Sequence, residues 1–230
     1  MSGKKTIITL DEGQFGGKYI NAARVQVVEN NGSILEKYVD CDQLIEAMTA
    51  SRRKGEMAFR IGNLPQDFYD GKICRDSIGR IKGKFLVTTD KRKTYITFEE
   101  TRFVTCCPAF LFVFEIESGR VINTRVFSLK GKTWNDSTYL YNCPLGNVSV
   151  NTHTVCWGSN SLPYIDELQK LNIVVSMFYD SPCNNDWFSP GKSIKWKCDN
   201  LREVLKRLEE PEEFPERLLV SSGIKIGDLL

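Results

Sequence analysis

The 230-residue sequence has a single histidine, His153, and no Cys-x-x-Cys pair. Those absences argue against a zinc or other soft-metal site, which needs clustered cysteine and histidine ligands. No apolar run approaches the roughly 20 residues that cross a bilayer as a helix. The longest, AFLFVF from Ala109 to Phe114, suits a buried strand. The start, MSGKKTIITLDEGQF, is basic but lacks a long apolar stretch and a small-residue cleavage site. The reading is a cytoplasmic protein with no membrane partner. Neither sign of charge dominates: 31 Lys and Arg against 29 Asp and Glu give a net +2. That balance speaks against nucleic acid, whose binders carry a basic face. The one basic run, Lys91-Arg92-Lys93, reads as a solvated hairpin turn. No internal repeat is visible.

What is present is ordinary globular material, 41% hydrophobic and 26% charged. It suits one medium domain, or a core with added pieces. The eight cysteines are an even number, but a reducing cytoplasm keeps thiols free. Adjacent Cys106 and Cys107 would point to opposite faces of a strand. Most of the cysteines read as small buried hydrophobes.

Along the chain, INAARVQVVE and SILEKYV read as two strands around Asn30-Asn31-Gly32. Asp40 then caps a helix with Leu44, Ile45 and Met48 one turn apart, ending near Gly55. Residues 55 to 80 look irregular, punctuated by Gly62, Pro65, Gly71 and Gly79. From Lys84, FLVTT, TYITFEETRFVT, AFLFVFEI and RVINTRVFSL follow at short intervals, which predicts an antiparallel four-stranded meander. STYLY is a short extended piece. Pro163, Ile165, Leu168 and Leu171 suggest a helix, and Asn200 to Glu210 a second amphipathic one. The end, from Pro211, reads as flexible or docked on a partner. The expected fold class is therefore α+β: a four-stranded meander with flanking helices, preceded by an N-terminal hairpin and helix. The expected boundaries are 1–80 for that extension, 81–190 for the core and 191–230 for a C-terminal helix and tail.

Chemistry concentrates in CPLGNVSVNTHTVCWG, residues 143–158. A cysteine thiolate attacks carbonyls and forms thioesters, so an accessible Cys156 suits carrying an acyl group. A nearby asparagine, Asn147, offers a donor to the oxyanion formed when that thioester is attacked. The competing reading is a buried strand cysteine beside a structural asparagine. His153 is three residues before Cys156, so on an extended strand the two face opposite ways and a Cys-His hydrolase pair is disfavoured. Trp157 reads either as a partner-facing rim or as a packed core aromatic. Asp180, Asp186 and Trp187 read as a solvated turn, or as a loop whose aspartate addresses an incoming lysine.

Residues 144–158, PLGNVSVNTHTVCWG, resemble the active-site stretch of ubiquitin-conjugating enzymes, where a His-Pro-Asn motif precedes the catalytic cysteine. Asn147 matches the asparagine, Val155 the hydrophobic residue before the cysteine and Cys156 the cysteine; Leu145-Gly146 stands where that family has His-Pro. Closer still is the bacterial PRTRC system protein B group: Leu140-Tyr141, Pro144, Asn147-Val148, Cys156 and Gly158 are similar to its pattern. The resemblance covers most of residues 19 to 190. It implies a ubiquitin-conjugating fold in which Cys156 accepts a ubiquitin-like protein from an adenylating activating enzyme and passes it to an acceptor, expected to be lysine, with Asn147 supporting the oxyanion. It further implies an operon-linked metal-dependent deconjugating peptidase and an anti-phage setting. No cofactor on this chain is implied, since the activator spends the ATP. The alternative within the same resemblance is a non-catalytic scaffold that binds the ubiquitin-like protein or its activator.

Overall fold

The computed structural model describes residues 5–10, 14–15, 18–19, 22–29, 32–53, 62–76 and 79–230. The chain divides into two compact units, residues 1–60 and 61–230.

In the first unit, β1 (Lys5–Leu10) pairs antiparallel with a later strand, after the two-residue ladder β2 (Gln14–Phe15) and β3 (Lys18–Tyr19). That later strand, β4 (Ala22–Val28), also pairs with β5 (Ile34–Asp40), giving a three-stranded sheet in the order β1-β4-β5. The expected hairpin is thus present, and β1 adds a strand the sequence pattern had not suggested. Asp40 caps α1 (Cys41–Arg53): its Oδ1 accepts from the backbone N–H of Asp42 at 2.9 Å and of Gln43 at 3.2 Å. This satisfies N–H groups that a first helical turn leaves orphaned. The expected end near Gly55 lies outside the described residues.

The second unit is built on a larger sheet than a meander of four. It opens with β6 (Phe68–Arg75) and β7 (Ile81–Thr89), followed by a separate hairpin of β8 (Arg92–Phe98) and β9 (Thr101–Cys107). Then come β10 (Ala109–Glu117), β11 (Arg120–Leu129) and β12 (Tyr139–Asn142), and near the end β13 (Ser221–Lys225). Six of these form one antiparallel sheet in the order β13-β12-β11-β10-β7-β6, which curls into a half-barrel.

Three expectations are corrected here. TYITFEETRFVT is not one strand of the meander: Glu99, at φ 51, turns it into the β8–β9 hairpin. β7 pairs directly with β10, through Thr89↔Phe110 to Gly83↔Ile116. The supposedly irregular stretch before residue 80 contains β6. Gly71 in β6 and Gly83 in β7 allow the two strands to approach closely: a Cβ on Gly71 would lie 2.9 Å from the carbonyl oxygen of Lys84, and one on Gly83 2.1 Å from that of Lys72. Finally, the tail docks on its own sheet. β13 pairs with β12, and Ile226 and Leu229 are buried with Leu86, Leu111, Phe127 and Leu140.

The AFLFVF run behaves as expected of a strand covered on both faces. Phe110, Phe112 and Phe114 enter one cluster, Leu111 and Val113 the other. The first cluster is closed by the hairpin and by two helices. α2 (Leu171–Asp180) follows a 3-10 turn over Leu168–Lys170 and buries Leu171, Val174, Val175 and Phe178. α3 (Leu201–Arg207) begins where Asn200 Oδ1 accepts from the Glu203 N–H at 2.9 Å. Helical structure starts later than Pro163 suggests, because the Ile165 N–H is taken by the Gly119 carbonyl at 2.7 Å.

Candidate functional site

Past β12 the chain runs through buried Cys143, Pro144 and Leu145 to Gly146. A Cβ on Gly146 would lie 2.3 Å from the Asn184 carbonyl oxygen and 2.5 Å from a Leu201 methyl. Glycine here lets the loop after α2 press against the segment leading to Asn147. That accounts physically for a glycine in the Leu145-Gly146 pair.

Residues 148–155 form a tight hairpin. Val148 and Val155 bridge antiparallel, the Ser149 N–H reaches the Thr154 carbonyl at 3.1 Å, and the His153 N–H reaches Ser149 at 2.7 Å. Ser149 Oγ accepts from the N–H groups of Asn151 and Thr152, both at 3.3 Å. β12 occupies the edge of β11 only at Phe127 and Ser128. The hairpin takes the next stretch of that edge, with Val126 N–H to His153 O at 2.9 Å and Val155 N–H to Thr124 O at 2.8 Å. Cys156 emerges just beyond the last of these bonds. Its own N–H is held by the Asn147 carbonyl at 2.7 Å, and its side chain is exposed. Gly158, at φ 57, then turns the chain back so that the Asn160 N–H meets the Trp157 carbonyl at 3.0 Å. The two residues singled out from the sequence, Asn147 and Cys156, are therefore joined by backbone at the mouth of this hairpin.

The Asn147 side chain is 9% exposed and its Nδ2 donates to the Ser181 carbonyl at 3.5 Å. Ser181, at the C-terminal end of α2, also accepts a 2.9 Å bond at its hydroxyl from Asn160 Nδ2. These two residues escaped the sequence reading. A serine after a helix and an asparagine in a turn are common turn residues, and nothing in their spacing marks them.

His153 does not join the cysteine. It is 6% exposed and packs on the Phe127 ring at 4.5 Å in the second cluster, whereas Val155, next to Cys156, packs in the first. Burial, then the Arg125 charge, lowers its pKa, and its Nδ1 has no partner among the described residues. Its backbone is left-handed at φ 60 rather than extended. Trp157 is half-buried against the first cluster. Asp186 closes a local turn, its Oδ2 accepting from Asn184 Nδ2 at 2.8 Å, with Asp180 exposed and Trp187 44% exposed nearby in sequence. The loop from Ser181 to Asp186 is itself anchored by the β8–β9 hairpin: Cys183 donates to Thr97 O and accepts from the Glu99 N–H, both at 2.8 Å. The basic run is knitted into the fold, with Lys91 on Glu216 at 2.5 Å and the Arg92 guanidinium 4.7 Å over the Tyr179 ring.

A model of prokaryotic E2 family D matches residues 81–222 of the chain. The chain belongs to prokaryotic E2 family D. No curated protein and no solved structure matches it. The family D span begins at β7 and holds both Asn147 and Cys156, and it runs past the residue 190 to which the sequence resemblance extended. Membership carries an E2-like role, in the transferase class of ubiquitin-like conjugation. It also implies dealings with a ubiquitin-like protein and its activating enzyme.

Within that span lie Cys106, Cys107, Cys143, Cys156, Cys183 and Cys198. All but Cys156 are buried. Burial pushes the Cys107 thiol up to about 12 and the Cys183 thiol up to about 11, and raises Cys143 strongly as well. A thiol raised in this way ionises less readily than an exposed one and is the poorer nucleophile. Outside the span, Cys41 is half-buried in the first turn of α1, and exposed Cys74 donates its thiol to the Lys82 carbonyl at 3.4 Å. Among the described residues no group of histidine, cysteine or carboxylate side chains could hold a metal ion. Among the described residues no helix is long and apolar enough to cross a membrane.

Proposed function

We propose that Cys156 carries the C-terminus of a ubiquitin-like protein as a thioester. Its thiolate attacks the activated carbonyl presented by the activating enzyme, forming the C–S bond and expelling the activator's own leaving group. An acceptor amine, most simply a lysine, then attacks the same carbonyl. The C–N bond forms, the C–S bond breaks, Cys156 leaves as thiolate and the amine gives up its proton to solvent. Asn147 supports the oxyanion between those events, since its amide has a second N–H that the Ser181 carbonyl does not use. The observation that carries this reading is the exposure of Cys156 alone among the six cysteines of the family D span.

The resemblance of Leu140-Tyr141, Pro144 and Asn147-Val148 to the PRTRC system protein B group supports a finer reading. The operon-linked deconjugating peptidase and the anti-phage setting belong to that finer reading. One observation favours the scaffold alternative: Asn147 is almost wholly buried, as a purely structural asparagine would be.

A charging assay separates them. The full chain is mixed with its cognate activator, ubiquitin-like protein and ATP, then run on non-reducing gels with and without thiol. A thiol-sensitive adduct lost in Cys156→Ala, and kept when the other cysteines are replaced singly, supports the carrier. A charged activator with no adduct on this chain, and Cys156→Ser leaving complex formation intact, supports the scaffold.

A further inference from the structure

Two asparagine amides flank Cys156, one before it and one after, and both end on the same residue. Asn147 Nδ2 donates to the Ser181 carbonyl at 3.5 Å, and Asn160 Nδ2 to the Ser181 hydroxyl at 2.9 Å. The bonding capacity of Ser181 dictates how each amide faces. A carbonyl oxygen only accepts, so Asn147 must turn its NH2 toward it. A hydroxyl has one proton, and that of Ser181 is committed to the Met177 carbonyl at 2.6 Å. It can therefore only accept from Asn160, which again must present its NH2. Ser181 is buried, 9% exposed, and its own N–H is fixed on the same Met177 carbonyl at 2.9 Å. The end of α2 thus holds a two-pronged acceptor rigidly in place, and each amide keeps one N–H that Ser181 does not consume.

We propose that Ser181 is the positioning residue of the Cys156 site, orienting the Asn147 amide through its carbonyl and the Asn160 amide through its hydroxyl. In catalytic terms this rests on the transferase reading above. Pre-set donors act on a developing oxyanion only when they need no reorganisation at the moment of attack. Asn160 is otherwise an exposed side chain four residues past the cysteine, and Ser181 is its side-chain hydrogen-bond partner among the described residues. The Trp157–Asn160 turn at Gly158 brings it back to α2. The arrangement gives Asn160 a part in the site that the sequence motif does not assign.

The test uses the full chain, labelled with 15N, as wild type, Ser181→Ala, Ser181→Thr and the solvent-exposed Asn160→Ala. In Ser181→Ala the side-chain amide resonances of Asn160 move to those of a freely rotating, solvated amide. Those of Asn147, held by backbone, stay, and Ser181→Thr restores the Asn160 pair. In the charged protein, Ser181→Ala and Asn160→Ala each slow discharge to lysine on the order of tenfold more than they slow charging. Combining them adds little, because both remove one contact. Unmoved Asn160 resonances in Ser181→Ala overturn the proposal, as does an equal loss in charging, discharge and melting temperature. If the wild-type chain takes no modifier, the transferase reading falls, and the resonances still decide whether Ser181 holds the amides.

Discussion

Replacing Gly146 by alanine tests how tightly the loop after α2 is pressed against the segment leading to Asn147. The new Cβ would overlap the Asn184 carbonyl oxygen at 2.3 Å and a Leu201 methyl at 2.5 Å. The leucine has rotamers to spare, but the carbonyl is backbone and moves only if the loop moves. Gly146 is not among the positive-φ residues, so alanine suits its backbone. Through the unfolded chain alone that exchange would stabilise by about 0.4–1 kcal/mol. The overlap decides the sign. Ordinary contact begins near 3.4 Å, so loop and segment must part by about 1 Å, and overpacking of this kind costs about 1–3 kcal/mol. The expected net loss is about 1–2 kcal/mol, or a melting temperature lower by about 3–6 °C for a chain of this size. Thermal unfolding followed by tryptophan fluorescence reads it. On the transferase reading, discharge to lysine falls as well, because the parting draws the Ser181 carbonyl away from an Asn147 amide already at 3.5 Å. A variant as stable as wild type, or more so, would refute the tight contact and with it this account of Gly146.

Two further outcomes follow from buried groups. His153 has a lowered pKa in the fold, so below its ordinary value the unfolded chain binds a proton that the folded chain refuses. Stability therefore falls as pH drops through about 6.5 toward the folded value; His153→Asn, which tolerates the left-handed backbone, should flatten that fall in acid urea melts, and an unchanged pH profile would contradict it. Thiol titration of the native protein with an aromatic disulfide reagent should modify Cys156 and Cys74 quickly and Cys41 more slowly. The five buried thiols should wait for denaturant, and rapid native labelling of Cys107, Cys143 or Cys183 would count against the packing described.

Local signals were legible in the sequence. Asp40 caps its helix through its own side chain and the next few N–H groups, so a short window contains the whole device. Asn147 and Cys156 could be singled out by motif as candidates, and a backbone bond joins them in the fold. What escaped depends on partners far along the chain. β6 was hidden because Gly71 resembles a turn signal, while its purpose is the approach of Lys84. β13 was hidden because its ladder partner, β12, lies some eighty residues earlier. Ser181 matters for which atoms meet it, and no spacing rule encodes that.

The clasp between Cys183 and the Thr97–Glu99 end of the β8–β9 hairpin has a temporal consequence. Joining residues so distant in sequence closes a long loop, an entropic cost that the surrounding contacts must offset. On the ribosome, Cys156 emerges well before the loop that braces Asn147. A nascent chain would therefore expose the Cys156 thiol before Asn147 meets its Ser181 partner, a pairing open only once synthesis has passed the end of α2.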